Sequence, residues 1–176
     1  PEYDRAGFEL LQKITKWEPG FSGNSTVEGA TELLGLCYLN GWGTRINKPK
    51  AYKMFIQLGE DTFGENTIRI AEAYWNGVGV EKNIQLALKL LNKSRKRGNA
   101  NAALILGDLY SAHPWTWEHK ENEYAFQGIV GKNYKKAAKF YHEAAHSDWE
   151  QKGIACLRLG EAYYFGRGVQ RNSKAA

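Results

Sequence analysis

The segment His142-Glu143-Ala144-Ala145-His146 has the residue types and the spacing of a catalytic zinc motif. Two imidazoles one helical turn apart can hold the metal, and the glutamate between them can activate a water molecule. Trp149 and Lys152 occupy the positions of the glycine and the third histidine that extend this motif in one large class of metalloproteases. A zinc hydrolase built on His142, Glu143 and His146 is therefore one alternative. The repeat pattern described below predicts solvent-facing histidines, no catalytic residue and no metal instead.

Pairs of glycines separated by one residue occur at positions 41/43, 77/79 and 166/168. Dinucleotide-binding loops carry such a pair after a β-strand and add a third glycine three residues later. Here each pair follows a helical pattern and the third glycine is missing, so the pairs predict turns. Gly131-Lys132 lacks the Ser or Thr that follows the lysine of a phosphate-binding loop. No cofactor is expected.

The glycine pairs belong to an internal repeat, which must be recognised before any fold is assigned. Four segments share an apolar residue, then a small residue, then a tyrosine three positions later: Leu34–Tyr38, Ile70–Tyr74, Leu106–Tyr110 and Leu159–Tyr163. The small residues Gly35, Ala71 and Gly107 are spaced by 36 residues. Gly160 follows Gly107 by 53 residues, which indicates an insertion of 17 in the third repeat.

An asparagine provides a second landmark in the same register. Each of three asparagines lies 12 residues after the small residue of its repeat and four before an alanine: Asn47 with Ala51, Asn83 with Ala87, and Asn172 with Ala176. In the third repeat the matching pair, Asn133 and Ala137, is displaced by the insertion. Two landmarks in register make a chance repeat implausible.

Each repeat reads as two helices. Small and apolar residues recur at helical spacing before the glycine pair, and glycines of this kind commonly end helices. The asparagine is then placed to cap a second helix, which contains the alanine four residues after it. Neither helix pair can bury its apolar face alone, so neighbouring pairs must stack. The sequence therefore predicts an all-α fold of stacked antiparallel helix pairs.

The pattern Leu-Gly-x-x-Tyr-x-x-Gly-x-Gly-Val, followed by an alanine-bearing helix, resembles the Sel-one-like repeat (SLR) family, which is related to tetratricopeptide repeats. The resemblance covers roughly residues 30–176. It implies a right-handed α-solenoid and a scaffold or adaptor that binds another protein, as family members do in signalling and in quality control. It implies no enzymatic activity. An immunity or regulatory protein that neutralises a toxin or effector is an alternative within the same binding class.

The repeat register divides the chain into five segments. Residues 1–29 are expected to form part of a preceding repeat and a linker, and residues 30–65 and 66–101 the first two repeats. Residues 102–154 form the third repeat with its insertion at 111–131, and residues 155–176 a fourth repeat cut short in its second helix.

In stacked helical repeats the first helices line a concave surface, on which a partner binds. The residue after the small one is expected to face outward, and in three repeats it is an acid. Arg69 and Arg158 lie three residues before two of these acids, Glu72 and Glu161, at a spacing that favours ion pairs. Trp75 and Tyr164 each follow the repeat tyrosine and are expected on the same face. The predicted partner-binding residues are Arg69, Glu72, Trp75, Asp108, Arg158, Glu161 and Tyr164. For the charged residues, mutual neutralisation on a solvated surface is the alternative.

The insertion at 111–131 is a second candidate surface. It brings Trp115, Trp117, Tyr124 and Phe126 into a polar setting, and repeat proteins commonly bind through insertions on one face. Trp115 and Trp117 are therefore predicted to contact a partner. The alternative is that these rings fold back and cover exposed core.

Charge and hydropathy exclude two further partner classes. The net charge is +5, but the basic residues are spread along the chain apart from a cluster at 93–97, so no basic face interleaved with aromatics predicts nucleic-acid binding. No apolar run approaches the ~18 residues of a membrane-spanning helix. The sequence leaves the oligomeric state open.

Cys37 and Cys156 fall on the first helices of the first and fourth repeats. Packed helices lie 8–10 Å apart, so three repeat steps separate the two cysteines by roughly 25 Å or more. A disulfide requires Cα atoms within about 7 Å, so both thiols are expected to be unpaired. This slightly favours a cytoplasmic location, while the periplasm or the lumen of the endoplasmic reticulum stays open if a signal peptide has been removed.

Overall fold

The computed structural model describes residues 2–16, 25–61, 64–111, 131–150 and 152–174. Within these ranges it contains eight α-helices and no β-strand, which confirms the all-α prediction. The helices are α1 (Glu2–Thr15), α2 (Ser25–Asn40), α3 (Lys48–Leu58), α4 (Glu65–Asn76), α5 (Ile84–Lys96), α6 (Ala100–Ser111), α7 (Tyr134–Ala145) and α8 (Lys152–Phe165). None of these helices has the length and apolar character needed to cross a bilayer.

The chain forms two compact units, Pro1–Ala87 and Leu88–Ala176. In the first unit α1 packs on α2, α2 on α3, and α3 on α4. In the second unit α6 packs on α7 and α7 on α8. Each of these contacts joins two helices that follow one another along the chain.

A backbone hydrogen bond closes the loop that follows the first helix of every repeat. The N–H of the repeat asparagine donates to the carbonyl of the repeat tyrosine in all four cases: Asn47 to Tyr38 (2.7 Å), Asn83 to Tyr74 (2.8 Å), Asn133 to Tyr110 (2.8 Å) and Asn172 to Tyr163 (3.1 Å). We call this the loop-closing bond. It links the two landmarks of the sequence repeat directly, and in the third repeat it forms across the insertion.

The same asparagines cap the helices that follow, as the sequence predicts. The Oδ1 atoms of Asn47, Asn83 and Asn133 accept hydrogen bonds from the backbone N–H three residues later, at 3.1, 2.9 and 3.0 Å. Such a cap satisfies one of the unpaired N–H groups at a helix start and stabilises it by about 1 kcal/mol.

The small residue of the repeat allows a ring of the second helix to approach closely. A Cβ added at Gly35 would lie 2.6 Å from Cε1 of Phe55 in the first unit. In the second unit a Cβ at Gly107 would lie 2.5 Å from Cε1 of Tyr141. The glycine therefore sets the helix separation by leaving room for an aromatic ring.

Large buried side chains form the core of each unit. Tyr52 and Phe55 are almost fully buried in the first unit, and Leu91, Leu106 and Leu109 in the second. Among the repeat tyrosines, Tyr38 is buried, whereas Tyr74, Tyr110 and Tyr163 are only partly buried. Both cysteine thiols are free, Cys37 buried and Cys156 exposed. Burial, together with the nearby charge of Asp4, raises the pKa of the Cys37 thiol.

The first glycine of the turn adopts the left-handed conformation that ends the helix. Gly77 has φ 68° and donates its N–H to the carbonyl of Ala73. We expect Gly77→Val to lower the unfolding free energy by more than about 1 kcal/mol, because a β-branched residue is strained at positive φ. Gly29→Ala, in the middle of α2 with open space around the added methyl, is the control and should leave stability unchanged or slightly raised. Equal melting temperatures for Gly77→Val and the wild type would contradict the prediction.

Candidate functional site

The histidines of the zinc-like motif lie on the solvent-exposed side of α7, which confirms their expected position. The rings of His142 and His146 stack at a centroid distance of 4.0 Å, and Nδ1 of His146 lies 2.8 Å from the carbonyl oxygen of His142. Both carboxylate oxygens of Glu143 accept hydrogen bonds from Arg95, at 3.0 and 2.9 Å. The glutamate that would activate water is therefore held by a guanidinium, and no group of three or more metal-ligating side chains occurs within the described residues.

We expect the purified protein to retain far less than one equivalent of zinc after dialysis, because two stacked imidazoles provide too few ligands for a tetrahedral site. Elemental analysis measures this directly. About one zinc per chain, lost in His146→Ala, would instead establish a metal site at this motif and contradict a function as a scaffold alone.

The acid that follows the small residue in the third repeat is buried, which corrects the expectation that Asp108 faces outward. Its exposed fraction is 5%. Tyr141 of α7 donates its hydroxyl to Oδ1 of Asp108 at 2.8 Å, and Ser111 lies 2.7 Å from the same hydroxyl. Nε of Arg158 on α8 reaches Oδ1 at 3.3 Å. Asp108 thus joins three helices in a polar network rather than presenting its charge to a partner.

Burial dominates the electrostatics of this network. Desolvation raises the pKa of Asp108 above its ordinary value, while the hydrogen bond from Tyr141 and the charge of Arg158 lower it in part. Desolvation also raises the pKa of Tyr141, and the Asp108 carboxylate adds to this rise. The tyrosine therefore stays protonated and acts as a hydrogen-bond donor.

Arg158, also expected on the outer surface, is 9% exposed. It forms the expected i,i+3 contact with Glu161, although its NH1 group lies 3.8 Å from the carboxylate. Its closer partner is Asp108. The sequence pattern found the contact within the helix and missed the one between helices.

In the first unit Glu72 has a role similar to that of Asp108. Glu72 is half-buried and hydrogen-bonded to Tyr52 of α3. Burial raises the pKa of Tyr52, and the charge of Glu72 raises it further. Arg69, expected to pair with Glu72, forms its ion pair with Glu32 of α2 at 2.9 Å. In these two repeats, the acid at this position therefore binds a tyrosine hydroxyl from a neighbouring helix.

The two aromatic candidates on the first helices differ in exposure. Trp75, expected to face outward, is 5% exposed, whereas Tyr164 is 49% exposed as expected. Trp115 and Trp117 of the insertion lie outside the described residues.

A cleft of about 280 Å³ opens in the second unit beside this polar network. Ten residues line it, and we divide them by exposure. The buried members, Ala137, Ala138, Tyr141, Arg158 and Ala162, we call the floor; the more exposed members, Ser111, Lys132, Tyr134, Glu161 and Arg167, we call the rim.

Tyr134 organises the cationic part of the rim. The ammonium group of Lys132 lies 5.4 Å from the centre of its ring, and the guanidinium of Arg167 lies 5.8 Å from it. A Cβ at Gly168 would collide with the carbonyl of Tyr134, so only glycine allows the turn after α8 to lie against the start of α7. Two cations therefore lie close to the same aromatic ring.

Four large apolar side chains of α8 are exposed: Ile154 (43%), Leu157 (59%), Tyr164 (49%) and Phe165 (57%). We call them the α8 stripe. Leu104 occupies the position of Leu157 in the preceding repeat and is buried in a cluster with residues of α7 and α8. Sequence reasoning identified Tyr164 and missed the other three, although apolar residues at positions 154 and 157 on a predicted helix could have been noted as further members of the same face.

Comparison with known proteins places this arrangement in a repeat family. The sequence model of the Sel1 repeat matches residues 30–60, 68–99, 123–148 and 153–176. No curated protein matches the sequence.

Solved structures show the fold. A Sel1 repeat protein from Oxalobacter formigenes is similar with a TM-score of 0.68 and 23% identity, covering 96% of this chain and 60% of that one. A protective antigen present in uropathogenic Escherichia coli strains, which displays an SLR fold, is similar with a TM-score of 0.64 and 22% identity, covering 99% and 36%. The chain thus spans less than two thirds of the length of either protein. These likenesses confirm the α-solenoid fold class.

Proposed function

Because the chain belongs to the Sel1 repeat family, we propose that it is a scaffold that binds a partner protein and that the α8 stripe forms part of the contact surface. Sel1 repeat proteins are generally interaction scaffolds rather than enzymes. In the narrower form of the proposal, the partner is a toxin or an effector that this protein neutralises, and identifying the bound partner tests that form.

The exposure of the α8 stripe within the described part of the chain carries the proposal. Contiguous exposed apolar patches rimmed by polar residues commonly mark protein interaction sites. Tyr164 and Phe165 contact each other edge to face at 5.0 Å, and aromatic side chains are frequent anchors of protein interfaces. Glu161 lies on the same helix between Leu157 and Tyr164, so two of the predicted contact residues belong to this surface.

The other predicted contact residues differ in accessibility. Arg69 and Glu72 are half-buried in the first unit and stay candidates for a separate contact. Asp108 and Trp75 are buried, so they stabilise the helices around them rather than contact a partner directly. Arg158 reaches a partner only through the cleft, whose floor it forms.

Site-specific photocrosslinking tests the proposal. A benzoylphenylalanine introduced at Tyr164 should crosslink a distinct protein in cells of the source organism, and adding Leu157→Asp should abolish the product. The same probe at Lys89, exposed on α5, is the matched control. If the two positions give the same products, if Leu157→Asp changes nothing, or if only the same polypeptide is crosslinked, the α8 stripe is not a partner site.

The insertion has its own test once that partner is purified. We expect Trp115→Ala combined with Trp117→Ala to weaken the complex by about thirtyfold, since interface tryptophans commonly contribute about 2 kcal/mol or more. The melting temperature should shift by no more than a few degrees. Unchanged affinity, or a double variant that unfolds, would assign these rings to covering the core.

A further inference from the structure

We infer that the cleft of the second unit binds a carboxylate of the partner, presented by an acidic peptide segment next to apolar side chains. This inference deepens the proposed function and rests on it. It assigns the polar part of the interface to the cleft and the apolar part to the α8 stripe.

The charges that line the cleft favour an anion. Three cationic side chains, Arg158, Lys132 and Arg167, face it, together with one acid, Glu161. Asp108 lies behind this lining and is bonded by Tyr141 and Arg158. A carboxylate entering the cleft therefore meets a surplus of positive charge, which favours binding and faster association.

Arg158 still has hydrogen-bonding capacity for a ligand. Its Nε is engaged by Asp108, but NH1 lies 3.8 Å from Glu161, beyond hydrogen-bonding distance. The side chain of Glu161 is 41% exposed, so it can turn toward solvent. A ligand carboxylate can then take the terminal nitrogens of the guanidinium, whose planar fork matches carboxylate geometry.

Burial strengthens that contact. The side chain of Arg158 is only 10% exposed and is fixed by Asp108, so little conformational entropy is lost when it binds a ligand. Lys132 and Arg167 are exposed at the rim, where they attract an anion before it reaches the floor.

The size of the cleft favours a side chain or a chain terminus over a larger metabolite. Small-molecule sites usually have volumes of about 300–1,000 Å³, and this cleft, at about 280 Å³, lies just below that range. Three of its lining residues are alanines, whose methyl groups suit the methylene groups of a glutamate.

The cleft and the α8 stripe are continuous. Arg158, Glu161 and Ala162 line the cleft from α8, and the guanidinium of Arg167 lies 4.8 Å from the ring centre of Phe165. A partner segment whose apolar side chain packs on Phe165 would place an adjacent carboxylate at the rim. This continuity favours an acidic-apolar peptide over a free anion.

The test uses a fluorescein-labelled peptide that alternates leucine and glutamate, and a matched peptide with glutamine in place of glutamate. Fluorescence anisotropy should show the glutamate peptide binding at least about tenfold more tightly than the glutamine peptide. Lys132→Glu with Arg167→Glu should weaken the glutamate peptide by about tenfold or more. Lys89→Glu with Lys139→Glu changes the net charge equally at exposed positions outside the cleft and should change affinity by less than about threefold.

Three results would overturn the inference: equal affinity for the two peptides, equal weakening by the cleft pair and the control pair, or binding of inorganic phosphate without binding of the peptide. If the cleft pair fails to fold by circular dichroism, Lys132→Glu alone, at an exposed loop position, gives the same comparison. Crosslinking at Tyr164 separates the two proposals. A captured partner with no peptide preference removes the cleft only, whereas peptide binding without a captured partner removes the α8 stripe.

Discussion

Replacing Arg158 with alanine is expected to lower the unfolding free energy of the second unit by about 3–5 kcal/mol, the usual cost of removing one partner of a buried ion pair. The side chains of Arg158 and Asp108 are 10% and 7% exposed, so the truncation leaves the Asp108 carboxylate largely buried without its cationic partner. Urea denaturation followed by circular dichroism measures the loss. Glu161→Ala removes only the long, exposed contact and should cost no more than about 1 kcal/mol. Similar losses for the two variants would contradict the buried pair.

The pH dependence of the Arg158→Ala variant provides a second readout. Burial raises the pKa of Asp108, and without Arg158 the pKa rises further because a lowering charge is gone. A carboxyl group whose pKa is raised in the folded state stabilises the fold below its unfolded pKa, and this contribution is lost as pH rises through the folded pKa. Arg158→Ala should therefore lose more stability at pH 7 than at pH 4. Adding Asp108→Asn should remove that slope.

Phe55→Ala is expected to lower the unfolding free energy of the first unit by about 3–5 kcal/mol, as truncation of a fully buried phenylalanine commonly does. Phe55 has no exposed surface and lies against Gly35, Tyr52 and the guanidinium of Arg69. Urea denaturation measures the loss. Leu10→Ala, in the exposed part of α1, is the control and should cost less than about 1 kcal/mol.

The close approach at Gly35 makes this prediction sharper. Gly35→Ala should itself cost about 1–3 kcal/mol, because its methyl group would overlap the ring of Phe55. In the Phe55→Ala background the same methyl enters an empty space. The double variant should therefore lose clearly less than the two single variants combined. Additive losses would mean that the two residues do not limit the helix separation.

The helices, their turns and their caps follow from the sequence because the atoms that determine them are close along the chain. Asn47 caps α3 with an atom three residues from its donor, and Gly77 ends α4 through its own backbone conformation. A 36-residue spacing then carries these local features from one repeat to the next. The register is visible in the sequence because each repeat needs a residue that ends its first helix and a residue that caps its second.

The direction in which Asp108 faces depends on another helix and is not visible in its own repeat. Phe55, Leu91 and Tyr141 occupy the equivalent position of the three second helices, and only Tyr141 has a hydroxyl group. Because Gly107 lets that ring approach closely, the hydroxyl reaches the neighbouring carboxylate. Comparing the repeat position of Asp108 with that of Tyr141 could have predicted that Asp108 is buried. The periodicity of a single helix predicted that it faces outward.

The cleft was not predictable for a related reason. Lys132 and Arg167 lie 35 positions apart in the sequence and meet only because both loops lie against Tyr134. A repeat alignment treats these loop positions as variable. The three-dimensional arrangement of the loops, rather than the repeat itself, creates the candidate site.

The loop-closing bond has a consequence for protein engineering. Tyr110 and Asn133 form it across 23 positions, whereas the equivalent pairs in the other repeats are nine positions apart, with donor–acceptor distances of similar length. The entropic cost of closing a longer loop grows only with the logarithm of its length. The segment between Tyr110 and Asn133 is therefore the place in the chain where a foreign peptide is expected to be accepted. Antigenic or affinity sequences could be grafted there while the loop-closing bond keeps the register of the third repeat.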